Sequence, residues 1–434
     1  MKKTLISILG TNDYLECRHS FQDRISNDVV KYVQEDIVKL FCSDWDENSE
    51  IRIFLTQEAK KKNWIDNGHN NKDGLPKIND GLFSRLQKLD TKSKIIPYDI
   101  PEGYTESDIW KIFEIIYNSF EKNEEVIIDV THAFRSLPML LTVLLNYAKQ
   151  LKNIKVSGIY YAAFEKLGSI ANVLKINPQD RIAPILDLTA FSELQNWTIA
   201  TYDFLSNANT SKFSELIKDA GNTNTSVLNG ANNPTDFVNQ LDELCKMISL
   251  CRGKDLINFD FKKLHQSLDN LKNDEILIKP LAPLFEQIQM KIDKFQNDDI
   301  QNGFLAVKWC IDHNLDQQAT TFMQENIITK ILYDVSTDWT VKKNREIAAQ
   351  SFAIASRKIE DAKWEKSAAE NKELVHQILQ LQFFQNVRKL YDKITDIRND
   401  INHGGYTNEA KTHTKLKNKL NVLYENLSTI VFND

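Results

Sequence analysis

Arg398-Asn399-Asp400-Ile401-Asn402-His403 sets a permanent cation and a group that titrates near neutrality within six residues of one another. That pairing suits the cutting of a phosphodiester. A histidine can take the proton from an RNA 2′-hydroxyl or give one to the leaving 5′-oxygen, and a guanidinium can hold the phosphate as charge builds on it. The scheme asks for no metal and would leave a 2′,3′-cyclic phosphate and a free 5′-hydroxyl.

The element that must position these groups is a periodic helix. Ile394, Ile397 and Ile401 mark its apolar stripe, and Gly404-Gly405 supplies the stop. Residues five apart lie roughly 140° around a helix axis, so Arg398 and His403 are not a simple helical pair. Asn399 and His403, at i and i+4, do share a face, with Arg398 one step aside. A single copy gives a half-formed polar edge; two copies across a two-fold axis would line one cleft with two Arg, two Asn and two His. Eleven Arg and eight His give the bare R-x4-H spacing by chance ~0.2 times. The plain alternative is surface charge and capping at a helix end.

At 434 residues with 42% hydrophobic content, the chain has enough material for two or three domains. A net charge of −6 argues against a dedicated high-affinity nucleic-acid binder, which would be broadly basic, and leaves room for a nuclease that binds RNA briefly. The run Leu5 to Leu9 is too short for a secretory leader and is followed by Asn12 and Asp13, so it reads as a first buried strand. No stretch is long enough to cross a membrane. Five Cys (Cys17, Cys42, Cys245, Cys251 and Cys310) form no C-x-x-C and no metal-spaced set, which predicts reduced thiols, a cytoplasmic location and no metal site.

Short β-rich runs alternate with helical periods in the first part. Strands are expected over Thr4–Leu9, Ile51–Leu55, Lys94–Tyr98, Val126–Val130 and Lys155–Tyr161, and helices near Asp28–Phe41, Gly81–Leu89, Ser107–Phe120 and Leu137–Leu151. This βαβα order predicts an α/β, Rossmann-like domain with a mainly parallel sheet. Beyond about Pro184 an all-α half follows, with a polar surface loop over Ser206–Pro234. Its helices are expected over Phe237–Leu250, Leu281–Phe295, within Asn302–Leu332, Glu373–Asn402 and Thr412–Val431.

Ligands of such sheets collect beyond the carboxyl ends of the strands. The polar loops there are Gly10-Thr11-Asn12-Asp13-Tyr14, Thr56-Gln57-Glu58-Ala59, and Thr131-His132-Ala133-Phe134-Arg135-Ser136. A helix beginning at Leu137-Pro138 would offer free amides beside Arg135 and Ser136 to a phosphate. Neither G-x-G-x-x-G after the first strand nor a P-loop is present, so dinucleotide and NTPase readings lose their usual support. Ordinary sheet-edge loops and a capped helix remain the plain alternative.

Three stretches together resemble the CARF–HEPN accessory ribonucleases of type III CRISPR systems, the Csx/Csm family. They are Ile8 to Tyr14, Ile128 to Pro138 and Arg398 to His403. A fourth, Ala306 to Glu325, is similar to the helical pair that opens the HEPN part. The resemblance implies a CARF cyclic-oligoadenylate sensor over 1–187, a helical linker over 188–300 and a HEPN ribonuclease over 301–434. It implies that Arg398, Asn399 and His403 are catalytic and that Gly10, Thr11, Asn12, Thr56, Thr131, His132, Arg135 and Ser136 face the cyclic nucleotide. It further implies a homodimer or higher oligomer, single-stranded RNA as substrate, no required cofactor, and cyclic tetra-adenylate as activator with cyclic hexa-adenylate as the alternative. Competing expectations are a nucleotide-sensing regulator that binds a protein partner without cutting RNA, and a sensor that also cleaves its own cyclic ligand.

Overall fold

The computed structural model describes residues 1–132, 137–220, 234–274, 279–406, 408 and 410–432. They fall into two compact units, one of Met1–Gln195 and one of the described residues from Asn196 onward.

The first unit is built on eight strands: β1 (Lys3–Leu9), β2 (Arg18–Phe21), β3 (Arg24–Ile25), β4 (Glu50–Leu55), β5 (Lys94–Asp99), β6 (Glu125–Asp129), β7 (Lys155–Ala162) and β8 (Ile182–Asp187). Their order across the sheet is β3-β2-β8-β7-β6-β1-β4-β5. β7, β6, β1, β4 and β5 run parallel, β8 is antiparallel to β7, β2 is parallel to β8, and β3 turns back on β2.

The sheet is covered on both faces, which is why β1 is buried from Thr4 to Leu9 and apolar there except at Thr4 and Ser7, rather than alternating. Leu5 and Leu9 of β1 pack into a core with Tyr32, Ile37, Leu82 and Leu86, from the Val33–Phe41 and Leu82–Gln87 helices and the residue before the first of them. Ile6 and Ile8 point the other way, into Ile112, Ile116, Leu141 and Leu144 of the Glu106–Ser119 and Leu137–Lys152 helices. A strand period of two thus feeds two cores. The Glu106–Ser119 helix begins at a reciprocal cap, with Asp108 N–H donating to Thr105 Oγ1 and Thr105 N–H to Asp108 Oδ2, both at 3.1 Å.

All five strands expected from the sequence are present, within one residue at each end. Three were not foreseen. β2 is polar, β3 has two residues, and β8 carries Pro184, so none shows a strand pattern. The helix expected from Asp28 starts at Val33, because Val30 is held in a two-bond bridge with Cys17 and the segment is extended there.

The second unit is helical, and no strand occurs among its described residues. Where a loop was expected over Ser206–Pro234, Ser211–Ala220 is a helix whose Phe213 is buried against Trp197 and Phe204, while 221–233 lie outside the described residues. The segment expected within Asn302–Leu332 is two helices, Gln301–Asp312 and Asp316–Asp334, turned by Asn314 in the left-handed region. Gly303 is required in this hairpin, since a Cβ there would collide with the amide of Asn326. The helix expected over Glu373–Asn402 is broken at Leu381 into Lys372–Gln380 and Gln382–Asn402. His413–Phe432 completes the unit.

Candidate functional site

In the first unit the parallel register places the ends of β1, β4 and β6 on one edge, pairing Leu9 with Leu55 and Ser7 with Asp129. Gly10, Thr56 and Thr131 therefore begin neighbouring loops. Gly10 has no room for a side chain, because a Cβ would run into the Tyr14 hydroxyl. Tyr14 in turn stacks on His132 with ring centroids 4.2 Å apart, joining the first and third loops.

Asn63 holds the first loop from behind. Fully buried, it donates from Nδ2 to the carbonyls of Gly10 and Asn12, both at 2.9 Å, and its Oδ1 meets His69 Nε2 at 3.0 Å. It lies 53 residues from Gly10 and 51 from Asn12, so nothing in the sequence around the first loop announces it. With the loop backbone fixed, the side chains of Thr11 and Asn12 make no hydrogen bond to described residues, and Asn12 is exposed. Thr56 behaves differently. It is completely buried and accepts the Ala59 N–H at 3.2 Å, so its hydroxyl caps a turn.

Thr131 is tied into the sheet edge. Its N–H donates to Asp129 Oδ1 at 2.9 Å and its Oγ1 accepts from Ala162 N–H at 2.9 Å. Asp129 is buried and also takes the Ser7 hydroxyl at 2.6 Å; burial raises its pKa, with these hydrogen bonds acting against the rise. Burial also lowers His132 to about 3, helped by the charge of nearby His19, so its imidazole is neutral at physiological pH and offers a ring face rather than a charge. Arg135 and Ser136 lie outside the described residues.

His19 is the buried cation beneath these loops. Burial would lower its pKa, but Asp36 at 2.8 Å and Cys17 at 3.6 Å outweigh it and raise the group to about 9. A pKa above the unfolded value means stability that is complete below about 6.5 and lost as pH climbs through 9. The expected result is a loss on the order of 2–3 kcal/mol between those limits. Thermal unfolding of the wild type and His19→Gln across that range checks it; parallel profiles would rule it out.

In the second unit, Arg398, Asn399 and His403 close the Gln382–Asn402 helix as the sequence suggested. His403 is the cap residue: its backbone N–H reaches Asn399 O at 2.9 Å, and Gly404 and Gly405 follow at φ +65° and +70°, left-handed values that glycine adopts without strain. Ile394 and Ile397 are buried, while Asn399 and His403 are exposed and their side chains make no hydrogen bond to described residues. Arg398 is half-buried, and its Nε is sealed from solvent without a partner. Asp400 takes a different role, accepting the backbone N–H and the ammonium of Lys411, both at 3.0 Å, which pins the following segment to the helix.

The arrangement leaves a cation, an amide and an imidazole unengaged on one helix end, chemistry that can bind and protonate a phosphodiester. Among the described residues no group of three His, Cys, Asp or Glu stands ready to hold a metal, and no helix is long and apolar enough to cross a membrane.

Comparison with known proteins agrees with the sheet unit. Residues 4–165 match the family model of the CARF domain of the CRISPR system endoribonuclease Csx1. A CRISPR-associated protein of Methanocaldococcus jannaschii is 23% identical over 389 residues, which is 80% of this chain and 56% of that one. The chain thus spans a little over half the length of this curated relative. The likeness to CARF-containing accessory proteins of type III CRISPR systems, first read from three short stretches, is borne out.

Proposed function

We propose that this chain, similar over its first unit to the Csx1 CARF domain, is a cyclic-oligoadenylate-activated endoribonuclease of type III CRISPR antiviral defence. The observation that carries the reading is the unengaged Arg398, Asn399 and His403 at one helix end, in a chain whose other unit resembles a nucleotide sensor. The sensor is assigned to 1–187, a helical linker to 188–300 and the HEPN nuclease to 301–434, in the cytoplasm.

In this reading two chains meet across a two-fold axis. One His403 takes the proton from the ribose 2′-oxygen as that oxygen bonds to phosphorus. The P–O5′ bond breaks, and the 5′-oxygen leaves with a proton from the partner's copy of the same histidine. Arg398 holds the non-bridging oxygens as charge builds, and Asn399 orients the phosphate. Atoms and charge balance without a metal.

The sensor loops suit an anionic ring of adenosines. Gly10 makes room for the Tyr14 ring that links the first and third loops, Thr11, Asn12 and Thr131 offer polar groups, and neutral His132 offers an aromatic ring; Thr56 supports the loops, and Arg135 and Ser136 complete the site by resemblance. Cyclic tetra-adenylate is the favoured activator and cyclic hexa-adenylate the alternative. The ligand acts through its differential affinity for two arrangements of the nuclease helices.

The test is cleavage of a fluorescent single-stranded RNA in excess chelator with cyclic tri-, tetra- and hexa-adenylate in separate reactions. Cleavage with one ring size, yielding cyclic-phosphate ends, is the expected result. Equal cleavage with and without every ring would end the allosteric reading, and no cleavage at all would favour a regulator that binds a protein partner.

A further inference from the structure

The helical unit that carries Arg398 also holds a cleft of about 470 Å³, within the size range of small-ligand sites. Its floor includes Phe322 and Ile257, both buried, and Trp339, Glu325, Asn326 and Lys254 also line it. Three features of this cleft point to a ligand.

Asn326 is the first. It is 4% exposed, yet its Nδ2 has no hydrogen-bond partner. A buried amide donor left empty costs about 1–3 kcal/mol, so its retention needs a reason. Gly303 leaves the space that this amide occupies on the neighbouring helix.

Trp339 is the second. Arg345 spends its guanidinium on fastening the segment that carries it, donating to Trp339 O and Thr329 Oγ1, each at 3.0 Å, and to Glu325 Oε2 at 2.7 Å. The turn is locked again by Asp338, whose Oδ1 takes the Thr340 N–H at 2.8 Å and hydroxyl at 2.7 Å. Among the described residues no ring lies against Trp339, so a half-buried indole is held in place with nothing stacked on it. Such preorganisation lowers the entropy lost on binding.

The third is the charge beside it. Exposed Lys254 lines the cleft, and the field of Arg398 reaches Cys251 on its wall, where it opposes the upward effect of burial on that thiol. An apolar floor, a free ring, one buried amide and cations nearby match the faces, polar edge and phosphates of a nucleotide.

We propose that this cleft binds one unpaired nucleotide of the RNA next to the scissile phosphate, its base stacked on Trp339 and read at its edge by Asn326. The proposal rests on the nuclease reading for the RNA and adds to it a site for base preference. Arg345 is then a positioning residue, acting through Trp339.

The test measures binding apart from cutting. Labelled short oligo(U), oligo(C) and oligo(A) are titrated by fluorescence anisotropy with full-length His403→Ala, alone and combined with Trp339→Ala, Trp339→Phe or Asn326→Asp, with circular dichroism confirming that each variant is folded. Trp339→Ala should weaken binding of the preferred oligomer by roughly 5- to 100-fold, and Trp339→Phe should restore most of it. Asn326→Asp, which turns a donor into an acceptor, should narrow the differences among the oligomers and, with His403 intact, move the positions of cutting.

If His403→Ala binds none of the RNAs, or the Trp339→Ala combination binds all of them like its parent, the proposal is wrong. RNA binding that depends on Trp339 in a chain that cuts under no condition would retain the site and discard the nuclease. Cutting unchanged in position and KM in Trp339→Ala would do the reverse.

Discussion

His403→Ala should lower the single-turnover rate of activated RNA cleavage by about 10²- to 10⁴-fold while the fold and the affinity for activator stay near those of the wild type. The side chain is exposed, and the helix is capped by the His403 backbone N–H, which alanine retains. His413→Ala is the control, an exposed histidine at the start of the next helix, and should leave the rate unchanged. Rapid-mixing cleavage assays at saturating activator give both numbers. Equal rates for the wild type and His403→Ala would remove the residue from the chemistry, and loss of activity in both variants would point to a general effect of altering this end of the unit.

Arg52→Met should destabilise the first unit by about 3–5 kcal/mol, a large share of an ordinary domain's stability. Arg52 is 1% exposed in the middle of β4, and its guanidinium meets Glu124 Oε1 at 3.2 Å and Oε2 at 3.3 Å while Nε reaches Glu50 Oε2 at 2.8 Å. Glu124 is fully buried, and burial already raises its carboxyl above the usual range while Arg52 opposes the rise. Without Arg52 that rise would grow. A carboxyl whose folded pKa is raised is better tolerated below that pKa and more costly above it, so the loss should be greatest at high pH and shrink as pH falls. Urea unfolding across pH, with Arg52→Met/Glu124→Gln beside the single variant, measures this. A single variant within about 1 kcal/mol of the wild type, or one no better at low pH, would show that the buried pair contributes little.

The difference between these two sites bears on how each could be found. Arg398, Asn399 and His403 are adjacent in sequence on one helix end, so helical geometry alone shows that two of them share a face. Arg52 and Glu124 come from distant segments, and nothing in either segment announces the other. Asn63 is similar: its role depends on the Gly10 loop lying against it, a contact made by the sheet. Cys251, Asn326, Trp339 and Arg345 line one cleft although each belongs to a different segment. Glu325 was noted in the sequence only as the end of a helical stretch.

By itself the sequence determined the elements whose cause is local. Apolar runs fixed the five parallel strands, periodicity fixed most helices, and Gly404-Gly405 fixed the end at which His403 sits. Only the tertiary structure decided the rest: the strands β2, β3 and β8, which exist because neighbouring strands supply their hydrogen bonds, the buried cation His19 beneath the loops at the strand ends, and the cleft lined by Trp339 and Asn326. The physical reason is the range of the forces. Helix periodicity and turn chemistry act over a few residues, while ion pairs, buried amides and cavities depend on groups that meet only when distant segments pack.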